Sequence, residues 1–100
     1  MSKFKFNTIP RIVPRINTTH RTINTMIPVP KSLELLEEIK LFESNNAIEQ
    51  LPVVWDRAFN HQIFDEWGNA WIDFTSSIFV TNSGHANPET IKRMNECISK

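Results

Sequence analysis

The sequence is poor in glycine, with only Gly68 and Gly84, and it has a single cysteine, Cys97, and no tyrosine. Two separated glycines cannot build the glycine-rich loop whose backbone N–H groups cradle a nucleotide phosphate. One cysteine excludes an internal disulfide. No apolar run approaches the roughly 20 residues that cross a membrane as a helix, which argues against a membrane partner. The start, Met1-Ser2-Lys3-Phe4-Lys5-Phe6, lacks the apolar core of a signal peptide. Together these absences predict a soluble cytoplasmic protein.

Acidic residues are absent from the first 31 positions, which hold Lys3, Lys5, Arg11, Arg15, Arg21 and Lys31 for a charge of +6. The remainder carries −6, so the net charge of +0 hides a basic arm before an acidic body. The basic residues are dispersed and few aromatics interleave with them. That pattern fits an arm lying on an acidic surface of its own protein or a partner subunit, with no nucleic acid. Hydrophobic residues make up 40% of the 100-residue chain, which fits a globular segment with at most a modest core.

Three parts follow in order. Residues 1–30 predict an extended basic arm, because Pro10, Pro14, Pro28 and Pro30 break helices and bias the preceding residues to extended backbone. Such an arm should pack on something else rather than fold alone. Residues 31–87 predict a helix plus antiparallel strands. The helix spans 32–43, with Ser32 accepting a backbone hydrogen bond as its cap and Leu35, Leu36, Ile39 and Phe42 as its apolar stripe. Strands follow over 52–80: Val53-Val54-Trp55, a hairpin of Gln62–Phe64 with Ala70–Phe74, and a buried run Ile78-Phe79-Val80. Gly68 and Asn69 are the turn residues best able to take positive φ. Residues 88–100 predict a second helix over 88–99, with Asn87 as cap, Pro88 first and Glu89 in the first turn. Its apolar stripe is Ile91, Met94 and Ile98.

The spacing of His20, His61, His85 and Cys97 contains no close ligand pair, so no metal site is predicted. Paired acids at Glu37-Glu38 and Asp65-Glu66 fit a solvated helix face and a turn. Asp73 differs, because it lies in an aromatic-rich stretch and needs hydrogen-bond partners there. Trp55, Trp67 and Trp71 fit hairpin packing better than a ligand cage. The stretch Thr81-Asn82-Ser83-Gly84-His85-Ala86-Asn87-Pro88 joins an apolar run to a capped helix. Such a turn either punctuates the chain or helps assemble a site, and the residues alone leave both open.

Pro52-Val53-Val54-Trp55-Asp56-Arg57-Ala58, then Phe64-Asp65, Trp67-Gly68-Asn69, Trp71-Ile72-Asp73-Phe74 and Gly84-His85-Ala86-Asn87-Pro88 occur in an order and spacing that resembles the N-terminal part of class III pyridoxal-phosphate-dependent aminotransferases. The likeness runs from about Pro52 to Lys100, with a weaker extension back to Ile27. It implies an α+β segment of a larger fold type I α/β enzyme: arm, helix, small antiparallel sheet of the minor domain, and a helix leading into the large domain.

The resemblance also implies transfer of an amino group from an amine or amino acid to an oxo acid, by a protein that works as a homodimer. The cofactor would be pyridoxal phosphate, held by a lysine that lies later in the family, so this segment would supply no catalytic residue and would be inactive alone. Its partners would be the rest of the enzyme or a second subunit. Ile78 and Phe79 would form part of the substrate-pocket wall, and Gly84 and His85 a structural turn near the site. Asn60 and Ser77 stand where many relatives have glycine. The competing reading is a small non-catalytic protein-interaction module that packs on a partner through its arm and hairpin.

Overall fold

The computed structural model describes residues 6–43 and 51–100. In chain order its elements are β1 (Ile16–Asn17), β2 (Thr22–Ile23), α1 (Pro30–Ile39), β3 (Arg57–Phe59), β4 (Gln62–Phe64), β5 (Ala70–Ile72), a single helical turn α2 (Ser76–Phe79) and α3 (Pro88–Ile98). The strands form one sheet in the order β1-β2-β5-β4-β3, with every pairing antiparallel.

The predicted hairpin is present. Gln62, Ile63 and Phe64 of β4 face Ile72, Trp71 and Ala70 of β5. Gly68 takes φ 83 in the connecting turn, and Asn69 does not share that role. Asn69 is instead buried, at 1% exposure. A second tight turn links β3 to β4 through Asn60, which adopts φ 52, a conformation asparagine reaches more easily than most residues.

The arm does not wait for another molecule. β1 and β2 pair with each other, Thr22 pairs with Ala70 of β5, and Arg11 bridges Ile27. A buried polar clasp fixes this half of the sheet. Asn69 Oδ1 accepts the Asn24 backbone N–H at 2.8 Å, while Asn69 Nδ2 donates to Thr25 Oγ1 and to Asp65 Oδ2, each at 2.8 Å. Asp65 Oδ1 also accepts the N–H groups of Trp67 and Asn69. Burying an amide is favourable only when its hydrogen bonds are made, and here donor and acceptor are both used. The basic side chains Arg11, Arg15, Arg21 and Lys31 remain exposed.

α1 begins two residues earlier than its sequence predicts. Pro30 opens it, since proline lacks the N–H that a first helical residue leaves unpaired. Ser32 is therefore inside the first turn and is not the cap. Its hydroxyl donates to the Val29 carbonyl at 2.7 Å and lies 3.4 Å from that of Pro52. The helix ends at Ile39, and Phe42 lies beyond it, 84% exposed. In α3 the Asn87 side chain accepts from the N–H groups of Glu89 and Thr90, with Pro88 first.

Two predicted strands are absent. Val53-Val54-Trp55 is irregular, and pairing starts only where Asp56 N–H reaches the Phe64 carbonyl. Ile78-Phe79-Val80 falls in and after the α2 turn, and its side chains are 78%, 78% and 77% exposed. An apolar run is read as buried because water disfavours it, but these residues have no cover among the described ones. Among the described residues the buried apolar side chains are Ile23, Pro28, Val29, Ile63 and Ala70, where the arm, the start of α1 and the central strands meet. Among the described residues no helix is long and apolar enough to cross a membrane.

Candidate functional site

The densest polar cluster lies where β5 runs into α2. Asp73 follows the last residue of β5, and its N–H donates to the His61 carbonyl at 2.8 Å. The carboxylate, 5% exposed, accepts from His85 Nε2 at 2.7 Å and from Ser77 Oγ at 3.0 Å. Thr75 adds its N–H and hydroxyl, each at 3.2 Å. Burial alone would push the Asp73 pKa up. The His85 bond first, then those from Ser77 and Thr75, more than reverse this and hold it at about 2.

His85 is anchored by its own backbone. Its N–H donates to the Asn60 carbonyl at 2.7 Å and its carbonyl accepts the Asn60 N–H at 2.8 Å. The Trp55 ring meets its imidazole edge to face, centroids 6.1 Å apart. Gly84 makes this approach possible. It takes φ +87, and a Cβ there would stand 2.9 Å from Asn60 Oδ1 and 3.3 Å from Asn60 Cα.

Serine, histidine and aspartate together invite comparison with a hydrolytic triad, but the connectivity is wrong. In a triad one imidazole nitrogen faces the acid and the other faces the serine. Here Nε2 of His85 faces Asp73, and Ser77 Oγ lies 3.5 Å from that same nitrogen. The Ser77 hydroxyl donates its only proton to Asp73, so no base activates it. A carboxylate held at about 2 is also no proton donor near neutral pH. The cluster is an anchor that fixes the path of the chain from β5 through α2 to the Gly84 turn.

What it anchors is unusual backbone. Ser76, Ser77, Ile78 and Phe79 take φ 49, 49, 64 and 66 in succession. This is a left-handed turn closed by Phe79 N–H to the Thr75 carbonyl and Val80 N–H to the Ser76 carbonyl, both at 2.9 Å. Non-glycine residues lose roughly 1–2 kcal/mol each in that conformation, and strain of this kind collects at functional sites. Ile78 and Phe79 project from the turn, and Phe74 is 88% exposed beside it in sequence. The structure thus brings Gly84 and His85 into the anchor and leaves Ile78 and Phe79 as an exposed apolar ledge.

Sequence reasoning missed Ser77 as a partner of Asp73. The signal was there in the spacing Asp73-x-Thr75-x-Ser77, since aspartate readily binds hydroxyls and N–H groups a few residues on. It also missed the Asn69 clasp and the meeting of His20 with His61, Nδ1 to Nε2, at 3.0 Å. No group of three or more His, Cys, Asp or Glu gathers among the described residues. Cys97 is exposed and free.

The described residues do not make a pyridoxal-phosphate site. The best acid, Asp73, is already occupied by His85, Ser77 and Thr75. Lys31 and Lys92 are exposed on helices, and Lys40 is paired with Glu37.

Comparison with known proteins gives the chain its relatives. It is 32% identical over 77 residues to the mitochondrial ornithine aminotransferase of Arabidopsis thaliana, a stretch covering 77% of this chain and 16% of the relative. It is 33% identical over 70 residues to an alanine/serine racemase of Pyrococcus horikoshii, covering 69% of this chain and 15% of that protein. The 5-aminovalerate aminotransferase DavT of Pseudomonas aeruginosa is 41% identical over 49 residues, 49% of this chain and 12% of the relative. The chain therefore spans about a sixth or less of the curated relatives it matches. No family model matches it, and no solved structure does. The matches to several aminotransferases over partial stretches identify a segment of this chain as similar to class III aminotransferases.

Proposed function

We propose that this chain is the N-terminal segment of a pyridoxal-phosphate-dependent aminotransferase of fold type I, cytoplasmic and homodimeric when complete. The whole enzyme moves an amino group from an amine or amino acid to an oxo acid. The segment is inactive alone, and its role is to shape the substrate pocket. Ile78 and Phe79 form an apolar wall, and the Asp73–Ser77–His85 anchor holds that wall in place. One observation carries the reading: a similarity covering 77% of this chain covers only 16% of an aminotransferase, and its described residues leave an apolar ledge bare at the left-handed turn. When bound, pyridoxal phosphate supplies the electron sink for the transfer, and its lysine lies outside this segment.

The similarity to an alanine/serine racemase favours a second reading, in which the complete protein inverts an amino acid instead of exchanging its amine. One assay separates the two. The complete protein is incubated with a single-handed amino acid, with and without an oxo acid. Transfer predicts a new amino acid that appears only with the oxo acid. Loss of optical purity without the oxo acid selects the racemase, and neither outcome overturns both readings.

A further inference from the structure

Two histidines distant in sequence meet at the ends of two hairpins. His20 lies in the turn between β1 and β2, and His61 in the turn between β3 and β4. His20 Nδ1 is 3.0 Å from His61 Nε2, and the ring centroids are 5.0 Å apart with the planes tilted by 58°. Both backbones are held independently of the rings. The His20 carbonyl accepts from Gln62 Nε2 and the His61 carbonyl accepts the Asp73 N–H, each at 2.8 Å. The His20 turn is closed by Thr18, whose N–H donates to the Arg21 carbonyl at 2.9 Å and whose Oγ1 accepts the Arg21 N–H at 3.0 Å. His20 is exposed and His61 half-buried, so solvent reaches the pair.

We propose that His20 and His61 form a binding site for a late first-row divalent cation of the copper(II) or nickel(II) type, with water completing its shell. Two neutral imidazoles at this distance share one N–H; a cation that takes both nitrogens displaces that proton to the far nitrogen of its own ring, leaving the two rings neutral with their N–H groups at His20 Nε2 and His61 Nδ1. With imidazole nitrogens about 2.0–2.1 Å from a metal, a 3.0 Å separation sets the angle between the two bonds at roughly 95°. That is a cis pair in a tetragonal or octahedral shell, the preference of copper(II) and nickel(II), rather than the tetrahedron of zinc. No third histidine, cysteine or carboxylate joins the pair among the described residues, and the neighbouring Arg21 adds positive charge. Binding is therefore reversible.

The test uses the untagged protein at its natural length. Nickel chloride is titrated calorimetrically at pH 8 into the wild type, His20→Asn and His61→Asn. One cation per chain is expected, bound at least tenfold more weakly by either variant and by the wild type in concentrated urea, which separates the two turns. Zinc should bind more weakly than nickel. Equal affinity across the three proteins, or no uptake at millimolar nickel, overturns the site. Spin resonance of copper(II) on the wild type checks it without any variant: coupling to two imidazole nitrogens is expected, and an oxygen-only shell overturns the site.

Discussion

At Gly84 a methyl group meets two obstacles at once. The backbone sits at φ +87, and the added Cβ would press on Asn60 at 2.9 Å and 3.3 Å. Asn60 cannot retreat easily, because its N–H and carbonyl both bond His85. Gly84→Ala should therefore cost on the order of 1 kcal/mol or more, seen as a lower urea midpoint at unchanged slope in the complete protein. Asp73 gives a prediction in pH. Its folded pKa lies below its ordinary value of 3.8, at about 2, so its contribution to stability is present above pH ~4 and lost as pH falls towards 2. Denaturant midpoints at pH 5 and pH 2.5 should show a smaller acid loss for Asp73→Asn than for the wild type. An equal loss would mean that Asp73 is not the titrating group. That Asp73 needs partners was readable from its place in an aromatic stretch. The spacing offered Thr75, Ser76 and Ser77 alike as those partners, and it is the left-handed turn that selects Thr75 and Ser77.

Among the elements, those settled by neighbours in sequence were readable, and those settled at a distance were not. The hairpin around Gly68 and the Asn87-Pro88 start of α3 follow from adjacent residues, and both occur as the sequence predicts. The arm joins the sheet because Thr22 meets Ala70 and Asn24 meets Asn69, pairings that no local pattern announces. Ile78-Phe79-Val80 failed in the opposite sense, since its composition reads as a strand while the chain turns left-handed there. That turn carries the prediction proper to this scale. Ile78 is 78% exposed, so Ile78→Ala should leave folding intact while enlarging the proposed pocket wall. One or two methylenes in such a wall are worth roughly 1–3 kcal/mol of discrimination. The ratio of kcat/KM for long and short amino donors should shift about tenfold or more in the complete enzyme, and an unchanged ratio removes Ile78 from the pocket.

For the whole molecule, the balance between buried and bare apolar surface decides how the segment behaves alone. Ile23, Pro28, Val29, Ile63 and Ala70 are its buried apolar residues among those described, whereas Phe42, Phe74, Ile78, Val80 and Ile98 are between 77% and 88% exposed. Full burial of one such large side chain is worth roughly 1.5–3 kcal/mol, and here that stabilisation is unrealised. The radius of gyration, 16.2 Å, exceeds the roughly 13 Å of a compact domain of this length. A chain this small is marginal even when well packed, and the left-handed turn adds strain that the segment must bear without cover. The isolated 100-residue chain should therefore self-associate, or melt without a cooperative transition, when followed by calorimetry and sedimentation. Incubated with pyridoxal phosphate and borohydride, it should yield no stoichiometric adduct at one defined lysine, because Lys31 and Lys92 lie exposed on helices, Lys40 is paired with Glu37, and two separated glycines build no phosphate-holding loop beside any of them. A sharp two-state melt from a monomer would instead show that this small core suffices, and would favour an independent interaction module over a segment that needs the rest of an aminotransferase to cover its apolar ledge.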